Sequence, residues 1–212
     1  MHTEVCARGY TPAREVDRRI HTVYLDIETY RRDRAFLDEK IIAIGVLDNE
    51  RREPTMFLEW ESNEGEIIKE FYSYIMNLNR QYRLVIVGFG ILRFDIPLLI
   101  QKGVEYCYNH KELNAFWYDD TLTIDLMQIM LPANNFRFKG NSLDNLVSKA
   151  REIREDINEL YMSGEDIAEL YENGNYEEII MHLRRDLEVI RDIYSTRCIT
   201  NIINRELSRN IT

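Results

Sequence analysis

The segment Val23-Tyr24-Leu25-Asp26-Ile27-Glu28-Thr29 constrains the chain most, because it sets two carboxylates into a run that otherwise reads as a buried β-strand. Side chains alternate along a strand with period two, so Asp26 and Glu28 project from the same face and converge on one point. Like charges side by side on a core strand are unfavourable unless something cationic lies between them, and a divalent metal is the simplest such partner. The spacing is not specific by itself. It recurs at Asp48/Glu50, in the turn-like LDNERRE stretch, and at Asp186/Glu188, where a helix would aim the two groups in different directions. Only the first pair has a hydrophobic lead-in. Locally, Asp26 could equally end the strand and cap the next segment, so other carboxylates must decide its meaning.

A chain of 212 residues can bury a real core, and it divides most simply into an arm over 1–19, one domain over 20–196 and a helical extension over 197–212. Hydrophobic content of 45% with 30% charged residues marks a soluble globular protein; no apolar run approaches membrane-span length. The opening MHTEVCARGYTPAREVDRRI lacks the apolar region of a signal peptide, which places the expected location in the cytoplasm and predicts no membrane association. Cys6, Cys107 and Cys198 are far apart, odd in number and show no C-x-x-C spacing, which argues against a disulfide framework and a zinc ribbon. The four histidines are scattered, with no H-E-x-x-H, so a metal here is expected on oxygen ligands, which suit Mg²⁺ or Mn²⁺. A formal net charge of −10 counts against a broad basic face that grips long nucleic acid, but not against an enzyme that engages a few nucleotides. Local basic groups stand at Arg31-Arg32-Asp33-Arg34, Arg137-Phe138-Lys139 and Arg184-Arg185.

Hydrophobic patterning predicts strands at 22–28, 41–47, 55–60 and 84–87, with a covering helix over 64–79. The second half reads as mostly helical: 96–101, a stretch after Asp125, 142–154, 163–171 and one long segment from 176 to about 205. Ser142 and Ser163 are suitable N-caps, and Gly103 is suited to stopping the helix before it. Three strands, a helix, a strand and then helices give an α/β fold, a mixed β-sheet flanked by helices with a helical C-terminal half, and this order fits a ribonuclease H-like fold.

Two further segments carry carboxylates. After the apolar strand comes Gly88-Phe89-Gly90-Ile91-Leu92-Arg93-Phe94-Asp95-Ile96-Pro97, in which Pro97 suits a first helical turn and puts Asp95 at a helix start. In His182-Leu183-Arg184-Arg185-Asp186, four-residue spacing stacks His182 and Asp186 at the edge of a helix whose apolar stripe runs through Ile179, Leu183, Leu187 and Ile190. Taken together, Asp-x-Glu in a first strand, Phe-Asp-x-Pro after an apolar strand, and a late helix with His182 before Asp186 resemble the DEDD superfamily of 3′→5′ exonucleases. The likeness is greatest to the proofreading exonuclease domain of family B DNA polymerases. Thr123-Ile124-Asp125-Leu126-Met127 and Asn141-Ser142-Leu143-Asp144-Asn145-Leu146 also look similar, and the resemblance covers about residues 20–195.

The resemblance implies that Asp26, Glu28, Asp95 and Asp186 hold two divalent ions, Mg²⁺ or Mn²⁺, for phosphodiester hydrolysis, with Asp26 between the ions. It implies nucleic acid as substrate, with single-stranded or frayed DNA favoured and RNA the nearest variant, and it gives Thr29, Tyr30 and Phe94 as residues that meet the substrate. His182 stands where relatives have Tyr, and its near-neutral pKa suits it to general base catalysis, with Arg185 nearby to hold it neutral. Gly90 stands where relatives commonly carry Asn. Tyr30 and Phe136-Arg137-Phe138-Lys139 could stack a terminal base or meet phosphate. The contrasting expectation is a weak or inactive end-binding scaffold of the same fold, and a homo-oligomer or a replication or repair partner is left open.

Overall fold

The computed structural model describes residues 19–31, 38–153, 166–196 and 198–209. The sequence expectations for the 1–18 part of the arm, for Arg32 to Arg34, for the Ser163 cap and for Cys6 lie outside the described residues. Five strands form one mixed sheet: β1 (Ile20–Arg31), β2 (Glu39–Asp48), β3 (Thr55–Leu58), β4 (Arg83–Gly88) and β5 (Leu122–Asp125), in the order β3-β2-β1-β4-β5. The β1–β2 and β2–β3 pairs are antiparallel, whereas β1–β4 and β4–β5 are parallel. The helices are α1 (Glu64–Gln81), α2 (Asp95–Tyr106), α3 (His110–Asn114), α4 (Leu126–Ile129), α5 (Leu143–Arg151), α6 (Ile167–Glu172), α7 (Tyr176–Ser195) and α8 (Cys198–Arg209).

The period-two alternation of β1 sorts its residues between two cores. Val23, Leu25 and Ile27 pack with Ile68, Phe71 and Ile75 of α1 and with Leu98 and Leu99 of α2. Tyr24 on the opposite face packs with Ala43, Leu47, Val85 and Val87 and with Leu183, Leu187 and Ile190 of α7. Each fully buried aliphatic side chain contributes about 1.5–3 kcal/mol, so the sheet is held from both sides by helices whose apolar stripes match it. Asp26 and Glu28 share the face of Tyr24 and therefore point into the α7 layer.

Local chemistry sets the helix ends. The Asn63 side chain accepts from Glu66 N at 3.1 Å to start α1, and the Ser142 hydroxyl accepts from Asn145 N at 3.3 Å to start α5, as its position predicts. The start of α6 is instead capped by Asp166, which accepts from Glu169 N at 2.8 Å.

Several expectations are corrected. Gly103 does not stop α2 but lies inside it, because a Cβ there would meet Leu113 at 2.6 Å and Tyr72 at 2.7 Å; the glycine serves close helix approach, not termination. The long helix over 176–205 is two, α7 and α8. At the end of α7 the Ser195 and Thr196 hydroxyls donate to the carbonyls of Arg191 and Asp192, competing with the helical ladder. The third strand stops at Leu58 and runs into a 3-10 turn over Glu59–Glu61. Strand β5 was not expected: it has four residues, Leu122 is exposed, and the helix start at Asp125 dominates the pattern. Cys107 is disulfide-bonded, against the reading of the cysteine spacing, since separation along the chain does not fix separation in space. No helix among the described residues is long and apolar enough to cross a membrane.

Candidate active site beyond the parallel strands

The parallel pairing of β1 with β4 runs from Ile20 opposite Arg83 to Tyr24 opposite Val87 and stops there. Strand β1 continues past it, so Asp26 and Glu28 stand beyond the carboxyl end of β4, where the chain turns away through residues 88–94. Open sheets place ligand crevices at such ends. A register shift between Glu28 and Thr29 puts a β-bulge at the same point, where β2 passes from Ala43 to Ile41 as partner.

Three elements supply the site. Strand β1 gives Asp26 and Glu28, the first residue of α2 gives Asp95, and the middle of α7 gives His182 and Asp186. A cleft of about 360 Å³ is lined by Asp26, Ile27, Phe94 and Asp95 together with Phe89, Gly90, Arg93 and Met127. Where α7 meets β1, one ligand atom each from Glu28, His182 and Asp186 lie within 4.8 Å of one another. His182 Nδ1 lies 2.9 Å from Glu28 Oε1 and 3.7 Å from Asp186 Oδ2.

The electrostatics result from this crowding. Burial pushes the Asp26 carboxyl well above the usual range, and the charges of Asp186, Glu28 and Asp95 push it further, while the Ile27 backbone N–H acts the other way. Asp95 is pushed up to about 7, chiefly by burial and then by Asp125 and Glu28, against the N–H groups of Asp95 itself and Ile27. Asp186 is also raised to about 7 by burial, against the pull of His182 and with added repulsion from Glu28 and Asp144. His182 is raised to about 9, first by its hydrogen bond with Glu28, in opposition to burial. Arg185 does not hold His182 neutral as expected: its guanidinium donates to Glu188 at 3.1 Å, and Glu28 governs the imidazole.

These residues fit divalent cations. Three carboxylates are pushed up by burial and by neighbouring carboxylates, Glu28 common to all three, and among the described residues Asp186 Oδ1 is buried without a hydrogen-bond partner. The donors are mostly carboxylate oxygens, which suit Mg²⁺ or Mn²⁺, with one imidazole added.

The three residues expected to meet substrate separate. Phe94 lines the cleft. The Thr29 hydroxyl donates to Glu39 at 2.7 Å, and the Tyr30 hydroxyl donates to Glu172 at 2.6 Å, with its ring 5.1 Å from that of Tyr171; both serve contacts within the fold.

Two positions that shape the site have no clear mark in the sequence. Gly45 pairs with Asp26 across the sheet, and a Cβ there would meet Leu187 at 2.6 Å and Leu183 at 3.0 Å. The missing side chain lets α7 settle onto β2 and carry Asp186 to Asp26. Asp125 is buried and accepts from Gly90 N at 2.8 Å, Leu92 N at 3.1 Å and Met127 N at 3.0 Å, so one carboxylate ties the 88–94 turn to α4 and fixes the approach to Asp95. Its signal was the Asp125-Leu126-Met127 match, which carried no role. Gly90 has φ of 77°, a left-handed conformation that Gly and Asn tolerate best, so the Asn-to-Gly departure preserves the turn.

Comparison with known proteins agrees with this geometry. A model of the RNase H superfamily matches residues 23–196, and the chain belongs to that superfamily. No curated protein matches the sequence significantly. Among solved structures, the fold is similar to that of the family B DNA polymerase from the hyperthermophilic archaeon Pyrobaculum calidifontis, with a TM-score of 0.62 and 16% identity. The match covers 83% of this chain and 24% of the polymerase.

Proposed function

We propose that the protein is a metal-dependent nuclease that removes nucleotides from the 3′ ends of nucleic acid, with single-stranded or frayed DNA the favoured substrate. The observation that supports this reading is that Asp26, Glu28, Asp95 and Asp186, supplied by three elements, lie close enough together for the charges of the other three to raise the Asp26 carboxyl. Held between them, two divalent ions would activate a water and stabilise the leaving 3′-oxygen. Glu28, Asp186 and His182 form one cluster, and Asp95 lines the cleft with Asp26, Phe94 and Arg93. Asp26 is the group common to both, since its charge meets those of the other three. We assign His182 the role of proton carrier: its ring nitrogen lies 2.9 Å from Glu28 Oε1, and a ring freed of that bond would take a proton from the attacking water. Four clustered charges kept at the expense of stability weigh against a purely structural scaffold.

The test uses DNA and RNA strands of identical sequence, labelled at either end, incubated with Mg²⁺ or Mn²⁺ and with a chelator. A metal-dependent ladder that shortens only from the 3′ end is expected, with DNA consumed faster than RNA. Internal cuts, shortening from the 5′ end or activity in the chelator would overturn the proposal.

A further inference from the structure

One segment at the rim of the cleft is built unlike the rest of the surface. After α4, residues 131–141 form a tight loop in which Asn135 and Phe136 take consecutive positive φ values of 53° and 56°, a conformation that side chains other than Gly and Asn rarely adopt. The loop is internally pinned. Phe136 N donates to Leu131 O at 2.8 Å, the Asn134 side-chain amide donates to the carbonyls of Arg137 and Lys139, Asn141 Nδ2 donates to Met127 O at 2.7 Å, and Asn145 Nδ2 donates to Gly140 O at 2.7 Å. This ordered backbone turns two aromatic rings outward: Phe136 is 75% exposed and Phe138 42% exposed. Local strain held in place by side-chain amides, with large apolar groups left in water, is the signature of a surface shaped for a ligand.

Charge identifies the ligand. In a chain of net charge −10, the two rings are interleaved with exposed Arg137 and Lys139, and the Arg93 guanidinium lies over the Phe138 ring at 4.1 Å. Arg93 also lines the cleft beside Asp26 and Asp95, so the loop and the carboxylates share a wall. Flat rings alternating with cations match a single strand, whose unpaired bases stack while its phosphates pair with the cations; a duplex hides the base faces.

We propose that the 134–139 loop is a stacking platform for a single-stranded nucleic acid, in which Phe136 and Phe138 receive unpaired bases and Arg93, Arg137 and Lys139 meet the phosphates of the strand that enters the cleft. The inference rests on the proposed nuclease reading and adds the route by which the strand arrives. The hydrogen bonds that pin the loop reduce the ordering needed on binding, and the short basic stretch confines contact to a few nucleotides.

The test is fluorescence anisotropy with a labelled oligothymidylate, an abasic strand of the same length and a blunt duplex, in a chelator to prevent cleavage. The Phe136→Ala/Phe138→Ala double variant is expected to bind oligothymidylate at least about tenfold more weakly than the wild type, with little further loss on the abasic strand. Phe136→Trp should retain the wild-type affinity. Equal affinity of variant and wild type for oligothymidylate, an equal loss on the abasic strand, or binding of the duplex as tight as that of the single strand would each overturn the platform. Wild-type protein that shortens 3′ ends while showing any of these results refutes the platform alone. A wild type that neither shortens nor binds strands refutes both readings.

Discussion

Two carboxylates that contact the same sheet live under opposite conditions. Glu64, at the start of α1, accepts from Ile41 N at 2.7 Å, from the Tyr106 hydroxyl at 2.7 Å and from the Lys102 ammonium at 3.2 Å. Both of its oxygens have donors and the charge has a counter-charge within the chain, so α1, α2 and β2 are tied together by one closed network. Asp26, on β1, has the reverse: its neighbours are Asp186, Glu28 and Asp95, and the backbone N–H of Ile27 relieves it only in part. A carboxylate that serves architecture brings its partners with it. One proposed to serve chemistry, as Asp26 is, leaves its charge for something from outside.

Substitution sharpens this contrast from both sides. The largest effect is expected from Asp26→Asn, which removes the group common to the cluster and the cleft: metal-dependent hydrolysis should fall on the order of 10³-fold, while thermal unfolding of the metal-free protein shows no loss of stability. If that variant unfolds like a core mutant, Asp26 belongs with Glu64 and the contrast fails. Glu64→Ala should do the opposite. It leaves Lys102 buried without its partner, so urea denaturation should show a loss of about 3–5 kcal/mol, with hydrolysis per folded molecule unchanged.

Gly45→Ala probes how the crowding is assembled. The added Cβ would press on Leu187 from 2.6 Å and push α7 from the sheet. We expect a stability loss of about 1–3 kcal/mol and, because a shift near 1 Å in a catalytic group lowers rates about 10²-fold, a clear drop in kcat. Unchanged kcat would show that α7 need not sit close for Asp186 to work.

The last prediction concerns pH. Asp95 and Asp186 have folded pKa values raised to about 7, so the folded state binds more protons than the unfolded one between the ordinary carboxylate range and about 7. Stability of the metal-free protein should therefore fall as pH rises across that window. His182, raised to about 9, acts with the same sign at higher pH: its stabilisation is full below about 6.5 and is lost as pH rises through about 9. Melting temperature measured from pH 5 to 9 in a chelator tests the slope, and saturating Mn²⁺ should raise the curve most at the alkaline end. A flat curve in the chelator would mean that the cleft carboxylates are relieved by something within the protein.

Much of this was legible in the sequence, for physical reasons that differ by element. The period of a strand put Asp26 and Glu28 on one face, and the four-residue repeat of a helix stacked His182 over Asp186; both are local rules that the fold leaves intact. Asp95 was legible because an apolar strand, two glycines and Pro97 mark a strand-to-helix turn. Gly45 and Gly103 were not, since a glycine that admits a neighbouring helix has no signature until that helix is known. Strand β5 was hidden by its length and by the cap at Asp125, and the bond of Tyr30 to Glu172 was not legible because the two lie 142 residues apart. The bond between His182 and Glu28 was equally invisible, as it spans 154 residues.

The site draws on β1, α2 and α7, elements that lie on both sides of the sheet and far apart along the chain. No fragment lacking α7 holds more than part of the carboxylate set, and none holds the imidazole. On the proposed function, the chain would pass residues 26 and 95 during synthesis while still inert, and would become competent only after Asp186 has emerged and α7 has closed over Gly45. Any substrate of such a cleft would be safe from the half-made protein.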